Sequence, residues 1–197
     1  MSSNALVIFV RKPEAGKVKT RLAASVGNDK ALSIYKELLL HTLNVVMKVD
    51  AIKHIYYEGE IDLHDIWDIP GFIKRKQYGV DLGQRMSKAF QDLTPRFKHV
   101  VIIGSDCFEL NPEIVNDAFN AFTNFEAVIG PAKDGGYYLL GMKAMIQDVF
   151  MNKSWSSSEV YQETVSDFTR LKLPYKVLPV LQDVDTVEDL PGYLSEP

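Results

Sequence analysis

The feature that most constrains the fold is a pair of short runs that are apolar at nearly every position. They are ALVIFV at residues 5–10 and VVIIG at residues 100–104. A strand with one exposed face alternates apolar and polar side chains, whereas a strand buried on both faces is apolar throughout. Such strands are typical of a parallel sheet covered by helices on both sides. These two runs therefore predict the interior of an α/β sheet.

Strand-like segments alternate along the chain with helix-length amphipathic segments. The predicted strands are Ala5–Val10, His54–Glu58, Phe72–Lys76, His99–Ile103, Ala127–Gly130, Tyr137–Met142 and Tyr175–Val180. The predicted helices are Asp29–Val49, Leu82–Leu93, Pro112–Phe122 and Ser157–Leu171, with a further helix beginning near Thr186. This alternation predicts a three-layer α/β/α sandwich with a mostly parallel mixed sheet of about seven strands. The Gly-Gly turn before the sixth strand indicates antiparallel or mixed pairing there.

Length and composition place the chain among ordinary globular proteins. Its 197 residues, 46% of them hydrophobic, suit one domain spanning residues 1–197. A net charge of −4 argues against a general nucleic-acid binder. No apolar run approaches the roughly 20 residues that a membrane span needs. With one cysteine and no secretory signal pattern, we expect a cytoplasmic protein without a nucleic-acid partner or a membrane span.

A basic loop follows the first strand of this acidic chain. The segment RKPEAGKVKTRL at residues 11–22 contains Arg11, Lys12, Lys17, Lys19 and Arg21. Its glycine, Gly16, lets backbone amides approach an anion, and the short helix expected next adds a favourable dipole. The loop therefore predicts a phosphate site, although a solvated surface loop is the alternative. It is not a Walker P-loop, because Val18 stands where a metal-binding Ser or Thr is required.

Carboxylates follow three later strands. Asp106 comes after the fourth strand, Asp134 follows the fifth within PAKDGG, and Asp183 and Asp185 follow the last within LQDVDTVEDL. Ligands of such sheets bind beyond the carboxyl ends of the strands, so these acids and the basic loop should meet along one rim. Basic side chains with carboxylates suit phosphate and Mg²⁺ or Mn²⁺.

Each of these aspartates also has a purely structural interpretation. Asp106 could cap the turn that leads to the next helix, and Asp185 could belong to the start of the last helix. Asp134 could serve only the tight turn at Gly135 and Gly136.

Six segments together resemble a known family. They are VIFVRKPEAGKVKTRLA, DLGQRMSKAF, IIGSDCFEL, IGPAKDGGYYLLGM, WSSSEV and LQDVDTVEDL. The chain is similar from about residue 5 to residue 190 to the family described as radical-SAM/selenodomain-associated transferase 1. That family of small glycosyltransferase-like proteins resembles the nucleotide-diphospho-sugar transferase superfamily. The resemblance implies the GT-A fold, although one fold hosts many reactions.

The resemblance also implies where a nucleotide would bind. Lys12, Lys19 and Arg21 fall on the basic positions of the first-loop motif and would hold the phosphates. Gly83 and Arg85 fall in the LGQRM segment, on a helix that faces the nucleotide in this superfamily. An ordinary helix start remains the alternative for Arg85. The chain departs from related motifs at Arg11, where a small residue is common, and at Phe108, where proline is common.

The other implied positions concern the metal and the acceptor. Asp106 falls on the metal-binding aspartate after the fourth strand, and Asp185 resembles the distal aspartate that completes the metal site. Asp134, Gly135 and Gly136 would shape the acceptor or sugar pocket, with Asp134 as the candidate base.

We therefore expect a metal-dependent transferase with Mg²⁺ or Mn²⁺, a nucleotide or nucleotide-sugar donor and a small-molecule acceptor of unknown identity. The sequence leaves open whether it is a nucleotidyltransferase or a glycosyltransferase. One alternative is a non-catalytic module on the same fold that binds a nucleotide or a partner. A phosphatase with Asp106 as nucleophile ranks last, because the Ser-Asp-Cys segment lacks a paired aspartate.

Overall fold

A computed structural model describes residues 2–195 of the chain. The strands are β1 (Asn4–Arg11), β2 (Ile52–Glu58), β3 (Ile73–Lys76), β4 (His99–Ile103), β5 (Ala127–Pro131), β6 (Tyr137–Met142) and β7 (Tyr175–Val177). The α-helices are α1 (Thr20–Val26), α2 (Asn28–Val46), α3 (Leu82–Leu93), α4 (Pro112–Ala121), α5 (Val160–Arg170) and α6 (Gly192–Ser195). Short 3₁₀ turns cover Gln147–Phe150 and Val187–Asp189. Within residues 2–195, no helix is both long enough and apolar enough to cross a membrane.

All seven strands form one mixed sheet in the order β3-β2-β1-β4-β6-β5-β7. Strand β6 runs antiparallel to both β4 and β5, and every other pairing is parallel. The mostly parallel mixed sheet and the antiparallel sixth strand are therefore confirmed. Because six of the strands point the same way, the loops that follow them emerge at one edge of the sheet.

The core lies on both faces of this sheet, as the apolar runs predict. Along β1, Leu6 and Ile8 pack in the layer that contains α2 and α4, whereas Ala5 and Val7 pack in the layer that contains α3 and α5. All four side chains are completely buried. Because successive side chains of a strand point to opposite faces, a strand covered on both sides must be apolar at every position.

A third, smaller cluster joins the two ends of the chain. Leu22 of α1 packs with Ile34 and Leu38 of α2 and with Val184 and Leu190 from the segment after β7. This packing brings the basic loop, which precedes α1, next to the aspartates of the C-terminal segment. The juxtaposition of the two candidate site segments is thus a product of apolar burial.

Several predicted boundaries differ from the structure by one to three residues. The helix expected near Thr186 is only the short 3₁₀ turn Val187–Asp189. Two of the shifted boundaries have clear local reasons. Strand β7 ends at Val177 instead of Val180, since Pro179 has no backbone N–H to continue the ladder. Helix α5 begins at Val160 instead of Ser157, because Ser157 belongs to a turn in which its hydroxyl oxygen accepts the N–H of Glu159 at 3.2 Å.

Candidate functional site

A cleft of about 860 Å³ opens at the carboxyl edge of the sheet. Seven of the residues predicted for the site line it, and they are Lys19, Arg21, Arg85, Asp106, Asp134, Gly136 and Asp185. They come from the loop after β1, from the first turn of α1, from α3, and from the segments after β4, β5 and β7. The rim expected from the sequence therefore exists as one continuous cavity.

The centre of the cleft is an ion-pair cluster around Lys19. Its Nζ lies 3.0 Å from Oδ2 of Asp106 and 3.6 Å from Oδ1 of Asp185. Arg21 adds a contact of 3.2 Å between Nη1 and Oδ2 of Asp185. The Lys19 side chain is buried, whereas the two carboxylates are about half exposed toward the cleft. A single buried ammonium thus lies between two acids from distant parts of the chain.

The backbone at Lys19 directs this side chain inward. Lys19 has left-handed torsion angles, φ 47° and ψ 46°, immediately before the first residue of α1. Its carbonyl oxygen accepts the N–H of Ala23 at 2.8 Å, which begins the helix. A non-glycine residue in this conformation costs of order 1 kcal/mol or more and persists only where surrounding contacts hold it. The ion pairs with Asp106 and Asp185 are such contacts.

The structural interpretations of Asp106 and Asp185 do not account for their carboxylates. Asn111, not Asp106, caps α4, since its Oδ1 accepts the N–H of Ile114 at 2.9 Å. The turn after Asp185 is capped by Thr186 together with Asp189, whose Oδ2 accepts the backbone N–H groups of residues 185 and 186. Both aspartates are therefore free to interact with Lys19 and with a ligand in the cleft.

Asp183, which the sequence placed on this rim without a role, also lines the cleft. Burial, together with the negative charges of Asp106, Asp134 and Asp185, raises its pKa to about 7, while Lys19 opposes the rise. The sequence does contain a signal for it. Two positions apart on an extended segment, Asp183 and Asp185 lie on the same side of the chain.

A second charged group borders the cleft where β1 and β2 end. Glu58 forms ion pairs with Arg11 and with Arg85, and Nη1 of Arg85 lies 2.7 Å from its Oε1. Burial alone would raise the pKa of Glu58, but the two guanidinium groups lower it below its usual value. Arg85 also donates from Nε to the carbonyl oxygen of Gly79 at 3.2 Å. The ionised glutamate and the carbonyl thus orient Arg85.

Tyr35 of α2 fixes the end of β1 beside the cluster. Its hydroxyl accepts the N–H of Arg11 at 2.9 Å and donates to the carbonyl oxygen of Arg11 at 3.1 Å. Burial, helped by the charge of Asp106, raises the pKa of Tyr35 to about 12, so it remains a neutral phenol. Neither Tyr35 nor Glu58 could be identified as a site residue from local sequence, since their partners lie in other elements.

The basic loop divides into inward and outward parts. Lys19 and Arg21 face the cleft, but Lys12 is half exposed, with Nζ 3.8 Å from Glu14 and 3.9 Å from Asp62. Lys17 is exposed and pairs with Glu14 as well. Gly16, at φ of 75°, lies beside the side chain of Asn28 and is not part of the cleft lining. The solvated-surface interpretation therefore describes Lys12 and Lys17, and not Lys19.

Two predicted glycines, Gly83 and Gly135, lie behind the cleft wall and make room for the segment from Trp155 to Ser158. A Cβ atom at Gly83 would lie 2.0 Å from Cε2 of Trp155. A Cβ atom at Gly135, where φ is 89°, would lie 2.0 Å from the carbonyl oxygen of Ser158. The segment that these glycines accommodate does line the cleft.

Asp134 combines a turn contact with a place on the cleft wall. Its Oδ1 accepts the N–H of Gly136 at 2.8 Å, as the tight-turn interpretation expects, while the residue still lines the cavity.

Cys107 also lines the cavity, but burial raises the pKa of its thiol to about 12. The thiol therefore stays protonated at neutral pH and is not an activated nucleophile.

The acids of the cleft suit a metal ion that is shared with a substrate. Within residues 2–195, no group of three or more His, Cys, Asp or Glu residues is arranged to hold a metal ion by itself. Asp106 and Asp185 nevertheless bracket a positive group, the ammonium of Lys19, so the space between them favours a cation. Mg²⁺ commonly takes only one or two carboxylates and completes its shell with phosphate oxygens and water.

Solved structures with the same fold include nucleotide-using enzymes. A candidate nucleotide-diphospho-sugar transferase from Desulfovibrio desulfuricans G20 is 40% identical over 96% of this chain and 85% of its own, with a TM-score of 0.90. The inositol-1-phosphate CTP transferase of T. maritima is 14% identical over 98% of this chain and 94% of its own, with a TM-score of 0.61. Rv0371c of Mycobacterium tuberculosis H37Rv, crystallised in complex with manganese, is 14% identical over 95% of both chains, with a TM-score of 0.56.

At 14% identity, the last two likenesses concern the fold alone. No curated protein matches the chain in sequence. A family model described as "Uncharacterized protein conserved in bacteria" matches residues 42–157, more than half of the chain. The chain therefore belongs to this family, DUF2064, and it has the single-domain α/β fold of nucleotide-diphospho-sugar transferases and cytidylyltransferases.

Proposed function

We propose that the chain is a metal-dependent transferase that uses a nucleotide or nucleotide-sugar donor. The observation that carries this proposal is the cluster of Lys19, Asp106 and Asp185 at the carboxyl edge of the sheet. The similarity in fold to nucleotide-using transferases supports it. The closer resemblance to the radical-SAM/selenodomain-associated transferase 1 family is part of the same proposal.

In this proposal the cations of the cleft bind the donor, and its carboxylates bind the metal ion. Lys19 and Arg21 would bind phosphate oxygens, since an ammonium or guanidinium forms charge-assisted hydrogen bonds with them. Arg85, held by Glu58, would face the nucleotide from α3. Asp106 and Asp185 would hold Mg²⁺ or Mn²⁺, and the manganese complex of Rv0371c supports a divalent ion. When bound, such an ion neutralises the negative charge that develops on the phosphates.

Two reactions are consistent with this layout. In nucleotidyl transfer, an acceptor phosphate oxygen bonds to the α-phosphorus, the bond to the β-phosphate oxygen breaks, and pyrophosphate leaves with the electron pair. In glycosyl transfer, an acceptor hydroxyl oxygen bonds to the anomeric carbon. The bond from that carbon to the diphosphate oxygen breaks, and the nucleoside diphosphate leaves with the electron pair. Asp134 would accept the hydroxyl proton in this second case.

The substitutions Asp106→Ala and Asp185→Ala test the proposal. Each should abolish the Mn²⁺-dependent binding of nucleotides, measured by calorimetry with CTP, UTP, GTP, ATP, UDP-glucose and GDP-mannose. Asp117→Ala, which changes an exposed aspartate on α4, is the matched control and should leave binding intact. Binding that survives in both cleft variants would exclude the metal assignment.

Turnover separates a transferase from a binding module that has lost catalysis. The expected result is release of pyrophosphate or nucleoside diphosphate in the presence of metal and acceptor. Metal-dependent nucleotide binding without any such release, across a panel of acceptors, would favour the binding module.

A further inference from the structure

The segment from Trp155 to Ser158 forms a wall of the cleft that none of the roles above uses. We propose that this segment is the acceptor subsite and that it takes an uncharged, hydroxyl-bearing acceptor such as a sugar or a cyclitol. The inference rests on the proposed function, because it assumes that the donor occupies the part of the cleft around Lys19 and Arg85. It also favours glycosyl transfer over the nucleotidyl transfer described above, in which the acceptor supplies a phosphate oxygen.

A glycine at each end of the wall leaves the space that the wall occupies. At one end the indole of Trp155 lies against Gly83, in the first turn of α3, where a Cβ atom would overlap the ring. At the other end the carbonyl of Ser158 lies against Gly135, and the N–H of Tyr161 donates to the carbonyl oxygen of Gly135 at 3.0 Å. Gly83 and Gly135 are therefore positioning residues, because a side chain at either would displace the wall.

The indole of Trp155 is suited to contact a ligand. It stacks on Phe150, with ring centroids 6.4 Å apart and an interplanar angle of 16°, and it contacts Gly83 as well. The residue is only partly buried, and it lines the cleft. A ring that is already immobilised presents a large apolar surface at little further entropic cost. The C–H groups of a sugar or cyclitol ring are apolar enough to pack against such a surface.

The polar groups of the wall favour hydroxyl partners. Ser156, Ser157 and Ser158 provide hydroxyl groups, which both donate and accept hydrogen bonds. Asp134, which follows β5 beside Gly135, provides a carboxylate that accepts them. This set matches a ligand with several hydroxyl groups.

The charges near the wall disfavour an anionic acceptor. Among the described residues that line the cleft, the cations are Arg11, Lys19, Arg21 and Arg85, and all four are paired with Glu58, Asp106 or Asp185. None of these four belongs to the segment Trp155–Ser158 or to the turn that carries Asp134, and Lys133 of that turn is not part of the cleft lining. A phosphorylated acceptor on this wall would therefore face a carboxylate without an adjacent cation of the cleft lining to offset it, which is costly in a partly desolvated cleft.

The fluorescence of Trp155 provides a direct test. The chain has two tryptophans, and the other, Trp67, is buried in the core beside β2, so Trp67→Phe leaves Trp155 as the one indole. In that background, glucose, mannose and myo-inositol are compared with glucose 1-phosphate, mannose 1-phosphate and inositol 1-phosphate. We expect a saturable change in emission with an uncharged compound, at a concentration at least tenfold lower than with its phosphate.

Two variants connect this signal to the wall. Gly83→Ala in the Trp67→Phe background should shift the Trp155 emission and weaken binding of the uncharged compound at least tenfold. Trp155→Leu should weaken that binding similarly when it is measured by calorimetry, whereas Trp67→Phe alone should leave it unchanged. Circular dichroism establishes that each variant is folded.

The outcomes distinguish this inference from the proposed function. If phosphorylated compounds bind more tightly, or if no uncharged compound changes the emission, the acceptor assignment is wrong although nucleotide binding stands. If Gly83→Ala weakens nucleotide binding and leaves acceptor binding intact, Gly83 contacts the donor and does not position the wall. If nucleotide binding is independent of Asp106 and Asp185, the proposed function fails first.

Discussion

Lys153 and Lys19 both have buried side chains, but their ion pairs differ in one respect. Nζ of Lys153 lies 2.6 Å from Asp167, and Nζ of Lys19 lies 3.0 Å from Asp106. The lysine side chains are 1% and 5% exposed, so the cations are almost equally buried. The acids are not, since Asp167 is 19% exposed and Asp106 is 44% exposed.

The difference shows which ion pair can change partners. Asp167 is also bound by Arg170 at 2.9 Å, so both of its oxygens have cationic partners within the fold. Asp106 and Asp185 share the ammonium of Lys19 and open into the cleft. We call the first pair closed and the second group open. The closed pair stabilises the segment before α5, whereas a phosphate or a metal ion can enter the open group without unfolding anything.

The largest expected effect is on stability, and it separates the two acids. Asp167→Asn leaves Lys153 as a buried cation with no full counter-charge, and breaking a buried pair in this way costs about 3 kcal/mol or more of unfolding free energy. Asp106→Asn should cost less than about 1 kcal/mol, because its carboxylate is screened by solvent. Urea denaturation measures the unfolding free energy of both variants. Equal losses of unfolding free energy would mean that the open group stabilises the fold as well.

The next effect concerns phosphate binding by the basic loop. Replacing Lys19 and Arg21 together by alanine should weaken nucleoside triphosphate binding by at least ~1.5 kcal/mol, because charge-assisted hydrogen bonds are lost. The matched control replaces Lys12 and Lys17 by alanine, which removes the same charge from the outward side of the same loop. Its effect should not exceed roughly threefold, as expected for screened surface charges. If calorimetry finds equal losses of triphosphate affinity in the two double variants, binding responds to the net charge alone.

A smaller effect of opposite sign is expected for the metal alone. The ammonium of Lys19 and a divalent ion compete for the same carboxylate oxygens, so Lys19→Met should tighten Mn²⁺ binding without nucleotide. A gain of about tenfold corresponds to roughly 1.4 kcal/mol. Arg21→Met, which removes an equal charge from an exposed side chain, should give a clearly smaller gain. If titration calorimetry gives the same gain in Mn²⁺ affinity for both variants, Lys19 does not compete with the metal ion for the carboxylates.

The smallest expected effect is a loss of unfolding free energy at acidic pH, which comes from the closed pair. Burial alone would raise the pKa of Asp167, but Lys153 and Arg170 lower it below its ordinary value of 3.8. The unfolded chain therefore takes up the proton first. The stability from this pair is complete well above pH 3.8, begins to fall as the pH approaches that value, and is lost as the pH falls through the lower folded pKa. Denaturation from pH 6 to pH 4 should show only the beginning of this loss, and Asp167→Asn should lack it.

Much of the architecture could be predicted from local sequence. The bounds of β4, β6 and α3 match the structure at every residue. Their apolar runs, turn residues and helical periodicity act over a few positions, which is the range that a sequence pattern reports directly. The parallel arrangement then places the residues after β1, β4 and β7 at one edge, so the meeting of the basic loop with Asp106 and Asp185 could be predicted as well.

The finer assignments depended on contacts between distant segments. Lys12, Lys17 and Lys19 look alike in the sequence, and only the left-handed turn at Lys19 and the burial of Leu22 against Val184 send one of them inward. Gly83 has the appearance of a ligand-binding glycine, but the missing side chain does not reveal whether a ligand or a neighbouring residue takes the space. In the structure Trp155, 72 residues further along, takes it.

By itself, the sequence determined the layers, the mixed sheet and the edge at which the charged loops gather, because these follow from short-range periodicity and from the direction of the strands. Tertiary structure alone decided which cations are buried, that Glu58 links Arg11 with Arg85, and that Trp155 completes the cleft wall. The physical reason is that the orientation of a side chain is set by its packing partners, and here those partners lie tens of residues away in the chain.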